Sequence, residues 1–255
     1  MPKIGIAGKK GSRAVRDIAR NTSVVRYNKY HKNVDCIVNY GLAGARLDRF
    51  FRLNPGARKI HMINSQVGFS KLSVISKADK KGIQVPESKL SLGRSDNPED
   101  FIEKRINSIG GIGIRPARRK GRIEGKYYQR FIKDRKYELR VHAFKWIDTS
   151  DWSVQKRTGP SDEIAWNYKQ GGMFSTVRNP GQYRVFTEAR EVSNQILDLL
   201  SMSFGAVDFL VTNDNEVLFI EINSAPGFTE YSEHIYYNAF EALIDVAVRE
   251  LRRMN

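Results

Sequence analysis

Residues 206–227 read AVDFLVTNDNEVLFIEINSAPG, and the pairing within this stretch decides how the rest of the chain is understood. Asp214 and Asn215 make a favourable turn between two runs rich in β-branched and aromatic residues. A two- or four-residue loop centred on that pair sets Asp208 opposite Glu221 and Ala206 opposite Asn223. Side chains alternate along a strand, so Asp208, Glu221 and Asn223 are expected on one face. Val207, Phe209, Val211, Leu218, Ile220 and Ile222 are expected on the other, an apolar face suited to packing on helices. Facing carboxylates repel unless something neutralises them, and a divalent cation would. Two carboxylates and an amide oxygen are hard donors of the kind Mg²⁺ takes, with phosphate oxygens and water completing its shell.

Upstream of the hairpin, residues 187–201 have the spacing of an amphipathic helix, with Val192, Ile196, Leu199 and Leu200 on one side. Residues 238–253 read as a closing helix. Residues 127–132 and 137–147 read as strands and 158–172 as loop. KRINSIGGIGI, residues 104–114, sets Lys104 and Arg105 at the end of a strand, followed by Asn107, Ser108, Gly110, Gly111 and Gly113. Such a loop can bring backbone N–H groups and a cation to phosphate oxygens, and a plain hairpin turn fits it equally well. It is not a Walker A loop. Neither is KIGIAGKKGS, residues 3–12, which reads as a strand-to-helix turn near the substrate. Strands at 3–7, 34–39 and 57–63 alternate with helices at 12–19 and 42–51, which predicts a small parallel α/β unit. A helix over 70–81 and a polar loop over 87–98 follow.

The chain has 255 residues, enough for one or two domains with a buried core. Its lone cysteine, Cys36, excludes an internal disulfide and a Cys-rich metal site. No apolar run is long enough to cross a membrane, and no apolar N-terminal stretch suggests secretion, so a cytoplasmic location is expected. The net charge of +15 is uneven. Residues 1–140 hold 33 Lys and Arg against 12 Asp and Glu, whereas residues 141–255 hold 10 against 16. The segment 115–136 carries ten cations and two acids, with Tyr127, Tyr128 and Phe131 interleaved. This suggests a polyanion partner, whether nucleic acid, nucleotide phosphates, an acidic peptide or a membrane surface, with a solvated cationic surface as the alternative. His31, His61, His142 and His234 are scattered, and His142, on the same strand face as Glu138 and Arg140, is the one nearest the expected chemistry.

Taken in order, these pieces resemble the ATP-grasp superfamily, in its carboxylate–amine ligase branch with the ribosomal-protein glutamate ligases and D-alanine–D-alanine ligases. FIEINSAPG (219–227) resembles the family's E-x-N-x-x-P-G signature, AVDFL (206–210) its metal-aspartate strand, and YYQRFI (127–132) its adenine hinge. YELRV (137–141), VQKR (154–157) and Gly171-Gly172 are similar to the elements between. The resemblance implies an α/β chain of the ATP-grasp fold: a short Rossmann-like unit over 1–65, a small subdomain over 66–133 with phosphate loop and hinge, and a large subdomain over 134–255 with the metal site. It implies that Asp208, Glu221 and Asn223 hold two Mg²⁺ ions (Mn²⁺ as substitute) on ATP, with Glu221 bridging. Arg105, with Lys104 as the alternative, takes the place of the phosphate lysine, and Lys71 matches the other nucleotide lysine. Ser108, Gly110 and Gly111 belong to the phosphate loop. Gln129, Arg130, Phe131 and Ile132 contact adenine, Glu138 lies near the ribose, and Arg140 and Arg157 face the reacting groups. The implied activity is ATP-dependent amide formation through an acyl phosphate, from an anionic small-molecule, peptide or protein carboxylate and an amine. A kinase on the same fold and a non-catalytic nucleic-acid-binding protein are the alternatives.

Overall fold

The structure is a computed structural model, and it describes residues 2–28, 32–106, 113–160, 164, 166, 172–228 and 232–254. The N-terminal unit runs β1 (Ile4–Gly8), α1 (Arg13–Asn21), β2 (Val25–Arg26), β3 (Cys36–Tyr40), α2 (Ala45–Leu53) and β4 (His61–Ile63). Its strands form a parallel sheet in the order β2-β1-β3-β4. Ser12 caps α1 by accepting from the Val15 N–H, which satisfies one of the first-turn donors. The strand expected from residue 57 begins only at His61. Pro55, with its fixed φ and no N–H, opens a 3₁₀ turn over Pro55–Lys59 instead.

The middle of the chain holds α3 (Lys71–Lys80), β5 (Ser88–Lys89), β6 (Ser91–Leu92), β7 (Phe101–Arg105), β8 (Arg115–Pro116), β9 (Gly121–Arg122) and β10 (Lys126–Arg130). An antiparallel sheet runs β5-β10-β7-β8, and β6 pairs separately with β9. Two short strands therefore lie within the stretch expected to be loop.

The last part holds β11 (Arg135–Phe144), β12 (Ser153–Thr158), β13 (Met173–Thr176), α4 (Arg184–Leu199), β14 (Phe204–Thr212), β15 (Val217–Asn223) and α5 (Glu233–Met254). These strands make an antiparallel sheet in the order β13-β12-β11-β14-β15. One face of it is sealed. Leu139, Val141, Val154, Val207, Phe209 and Phe219 join Val74 and Ile75 of α3 and Ile196 and Leu197 of α4 in one core. A second core ties the N-terminal sheet to α5 through Tyr40, Phe144, Phe204, Tyr236 and Phe240. The sealed face leaves the opposite face of the sheet to carry the polar residues. Among the described residues no helix is long and apolar enough to cross a membrane.

Candidate active site

The registers of the large sheet set four polar side chains in one row: Gln155 on β12, Arg140 on β11, Asp208 on β14 and Glu221 on β15. The expected pairings of Asp208 with Glu221 and Ala206 with Asn223 are both present. The route to them differs from the expectation. Thr212 N–H donates to Glu216 O, so the loop has three residues, with Asn215 in the left-handed region at φ 63°. That loop pairs Val211 with Val217, Leu210 with Leu218 and Phe209 with Phe219. A bulge next to Asp208, where Ile220 is the extra residue, then restores the register that aligns Glu221. The consequence is a correction to the apolar face. Val217 and Phe219 are buried there, while Leu218 stands opposite Leu210, and Leu210 and Ile220 line a cavity on the polar side.

That cavity, of about 340 Å³, lies between the large sheet and the β7–β10 pair. Around it the charges alternate. Arg140 Nε and Nη2 donate to Asp208 Oδ1 and Oδ2, each at 2.7 Å. Lys71 Nζ, at the start of α3, donates to Glu221 Oε2 at 2.5 Å. Arg157 Nη1 donates to Glu138 Oε2 at 2.8 Å, and its Nη2 stands 4.0 Å from Asp208 Oδ1. Arg135 donates to Glu138 Oε1 at 2.9 Å and lies 3.6 Å over the Trp166 ring. Burial pushes the Asp208 carboxyl up, but the Arg140 guanidinium outweighs it and holds the group below the usual carboxylate range. Burial wins at Glu138 and raises it despite Arg157 and Arg135. Beneath the row, His142 Nε2–H donates to Gln155 Oε1 at 2.9 Å and accepts from the Tyr236 hydroxyl at Nδ1, 2.7 Å away. Burial lowers this imidazole to about 4, so it is neutral.

The structure gathers most of the residues singled out from sequence. Lys71, Lys104, Gln129, Arg130, Phe131, Ile132, Glu138, Arg140, Arg157, Asp208, Glu221 and Asn223 all line the cavity. Arg105, preferred over Lys104 from sequence, does not line it. Side chains alternate along β7, so Ile102 and Lys104 face the cavity while Glu103 and Arg105 face away. Lys104 is buried and donates to Gln129 Oε1 at 2.9 Å; burial lowers its pKa, opposed by the attraction of Glu221. Arg130 borders the cavity, but its guanidinium is held by Glu87 at 2.6 and 2.9 Å. Ser108, Gly110 and Gly111 lie outside the described residues. Sequence reasoning missed Arg135 and Trp166, whose stacking joins residues far apart in the chain.

A second cavity, of about 550 Å³, shares Lys71, Glu221 and Asn223 with the first and is bounded beyond them by Lys9, Lys10 and Arg46. It closes where β3 meets the turn after β15. Tyr40 Oη donates to Pro226 O at 2.6 Å, and a Cβ on Gly41 would come within 2.3 Å of the Ala225 Cβ.

The donor set limits what the inner cavity can hold. Among the described residues no three His, Cys, Asp or Glu side chains form a metal site. Asp208, Glu221 and the Asn223 amide are hard donors but too few alone for a divalent ion, which needs outside oxygens such as those of a polyphosphate. Arg157 Nε is buried with no partner, an orphaned donor on the same wall.

Comparison with known proteins agrees with this architecture. The family model for the D-ala D-ala ligase C-terminus matches residues 164–242. The chain is similar to D-alanine–D-alanine ligase from Bacillus anthracis, with a TM-score of 0.64 at 13% identity over 100% of both chains. It is similar to the ATP-grasp ligase PsnB complexed with a minimal precursor, with a TM-score of 0.61 at 11% identity over 96% of this chain and 99% of that one. It is also similar to a RiPP-associated ATP-grasp ligase of Chryseobacterium gregarium in complex with ADP and a leader and core peptide. There the TM-score is 0.57 at 15% identity, over 96% of this chain and 97% of that one. No curated protein matches in sequence. At these identities the likeness is one of fold.

Proposed function

We propose that this chain, which has the ATP-grasp fold, is an ATP-dependent ligase joining a carboxylate to an amine. The observation that carries the reading is the row of Arg140, Asp208 and Glu221 facing buried Lys104 across one cavity. Phe131, Ile132, Leu210 and Ile220 offer the apolar walls a purine ring needs, and Gln129 and Glu138 offer polar partners. Lys104 and Lys71 hold the polyphosphate. Mg²⁺, or Mn²⁺ in its place, carried in with the nucleotide and held by Asp208, Glu221 and Asn223, supplies charge neutralisation at the phosphates. Solved structures of similar fold contain Mg and ADP, which supports that assignment.

Both partners of the first step are anions, so this chain's work is to neutralise and align them. A carboxylate oxygen attacks the γ-phosphorus, the bond to the β-phosphate oxygen breaks, and ADP leaves. Arg140 and Arg157 offset the charge on the transferred group. The amine then attacks the acyl carbon, the carbon–oxygen bond to phosphate breaks with its electron pair, and the amine proton passes to solvent. Residues 107–112, with Ser108, Gly110 and Gly111, complete the phosphate grip in this reading.

The test is ADP release by the full chain with pooled carboxylates and amines. Release that needs both substrates is expected. Release that needs only a hydroxyl compound would make the protein a kinase. Glu221→Ala should abolish Mg-ATP binding while the fold persists, and unchanged affinity in that variant would overturn the site.

A further inference from the structure

We propose that the Gln155 carboxamide is the donor for the acyl oxygen of the activated substrate, and that His142 and Tyr236 are positioning residues that aim it. The inference rests on the ligase reading and deepens it.

The polar row of the large sheet runs one strand past Arg140, to Gln155 on β12. Arg140 uses Nε and Nη2 on Asp208 and keeps Nη1 without a partner among the described residues. Gln155 uses only its oxygen, which accepts from His142 Nε2–H at 2.9 Å. Its amide nitrogen also lacks a partner among the described residues. Ser153 Oγ, on the same side of β12, is unpartnered and sealed off, whereas the Gln155 nitrogen is not sealed. A charged donor and a neutral one thus stand open on neighbouring strands, which lie about 4.8 Å apart. An acyl phosphate presents the matching pair. Its phosphoryl oxygens carry the charge, and across one bridging oxygen lies a carbonyl oxygen that carries only a dipole until the amine attacks.

Hydrogen-bond accounting fixes which way the amide points. Tyr236 of α5 is wholly buried among the rings of His142, Phe144 and Phe228. Its hydroxyl has one partner among the described residues, His142 Nδ1 at 2.7 Å, so the O–H donates there. Nδ1 then carries no proton and Nε2 does, because burial keeps the imidazole neutral. Nε2–H needs an acceptor, which turns the Gln155 oxygen inward and both of its N–H groups outward. The reverse chain would leave the Tyr236 proton buried with nothing to accept it. When the amine attacks the acyl carbon, the carbonyl electron pair moves onto the oxygen that these N–H groups already face. The pair returns as the carbon–oxygen bond to phosphate breaks.

The test runs the first step backwards, with the full chain, Mg-ADP and acetyl phosphate, and reads ATP by luciferase luminescence. A β-phosphate oxygen of ADP attacks the phosphorus, the phosphorus–oxygen bond to the acyl group breaks, and acetate leaves with the electron pair. Gln155→Met, of similar volume, should slow ATP formation by about 10- to 100-fold, the effect of losing a hydrogen bond to a charged group. Tyr236→Phe should slow it by less. The double variant should be no slower than Gln155→Met alone, because Tyr236 acts through that amide; a merely structural role would add its own loss. Imidazole ¹⁵N spectra should place the His142 proton on Nε2 in the wild-type chain. An unchanged rate in Gln155→Met, additive losses in the double variant, or a His142 proton on Nδ1 would each overturn the proposal alone. Mg-ADP affinity, read in parallel, should stay within about twofold in every variant. A wild-type chain that does not bind Mg-ADP, or binds it and forms no ATP, would instead overturn the ligase reading and this proposal with it.

Discussion

The two cavities meet at Lys71, Glu221 and Asn223, yet they treat charge in opposite ways. In the inner one Arg140 is held by Asp208, Arg157 by Glu138 and Lys71 by Glu221, and Lys104 is hydrogen-bonded to Gln129. In the outer one Lys9, Lys10 and Arg46 have no such partner among the described residues. Paired charges are pre-positioned, so little reorganisation is needed when phosphates arrive. Open cations instead attract and select an incoming anion. Lys71 belongs to both cavities, and its hold on Glu221 must loosen when a cation takes that carboxylate.

The largest effect is expected from breaking an inner pair. Arg140→Met leaves the buried Asp208 carboxylate without its bidentate partner, and the loss of stability should be about 3–5 kcal/mol, read by urea denaturation. Adding Asp208→Leu should restore most of that stability and none of the activity, because the penalty comes from the abandoned charge. A single variant as stable as the wild type would show that the pair is solvated and that the inner cavity is no different from the outer one.

The next effect separates neighbouring cations on β7. In the proposed ligase, Lys104→Met would remove a charge-assisted hydrogen bond to the polyphosphate, about 1.5–3 kcal/mol, so Mg-ATP affinity should fall by about 10- to 100-fold. Arg105→Met, on the other face, should stay within about threefold, as an exposed charge change does. Calorimetric titration with Mg-ATP checks both, and a reversed order would return the phosphate role to Arg105.

The choice between those two residues shows what could be learned from sequence and what could not. Alternation along FIEKR was available: Phe101, Glu103 and Arg105 share one parity, Ile102 and Lys104 the other. The glycine loop that follows draws attention to the strand's last residue, Arg105, instead. The Asp208–Glu221 pairing was legible because both residues sit in long strands with clear alternation. The apolar face of the same hairpin was only half legible. Asp214-Asn215 marks a turn but does not fix its length, and the three-residue loop and the bulge at Ile220 each shift the register by one and cancel. Leu218 and Ile220 lie between those two shifts and so change sides. The strands β2, β5, β6, β8 and β9 have two residues each, too few for any period to show. The meeting of Lys9 and Lys10 with Arg46 depends on which strands are neighbours, and no local pattern records that.

The closed end of the outer cavity offers a smaller test. Gly41 has φ +77° and a Cβ added there would strike Ala225, so Gly41→Ala should cost about 1–3 kcal/mol through overpacking and backbone strain. Ala225→Gly in that background removes the clash and leaves the backbone cost. Partial recovery in thermal unfolding is expected. Full recovery would mean that the positive φ is easily relieved, and no recovery that Ala225 is not what Gly41 meets.

The smallest effect concerns the layer beneath the inner row. His142 is buried between Tyr236 and Gln155, and burial lowers its pKa to about 4, below the value of about 6.5 for a free histidine. The unfolded chain therefore takes up a proton that the folded chain refuses. The stability this contributes is full above pH 6.5 and is lost as pH falls toward 4. Between pH 7.5 and pH 6 the loss should be about 0.8 kcal/mol, measured as a difference in urea midpoints. In His142→Asn that part of the slope should vanish even if the variant is less stable throughout, because the slope reports protons and not packing. Asp208 and Glu138 remain in both proteins, so their own titrations cancel in the comparison. An unchanged slope would mean that His142 accepts a proton without leaving its place. The Gln155 amide would then be free to turn, and the row beside Arg140 would be less fixed than the paired charges above it imply.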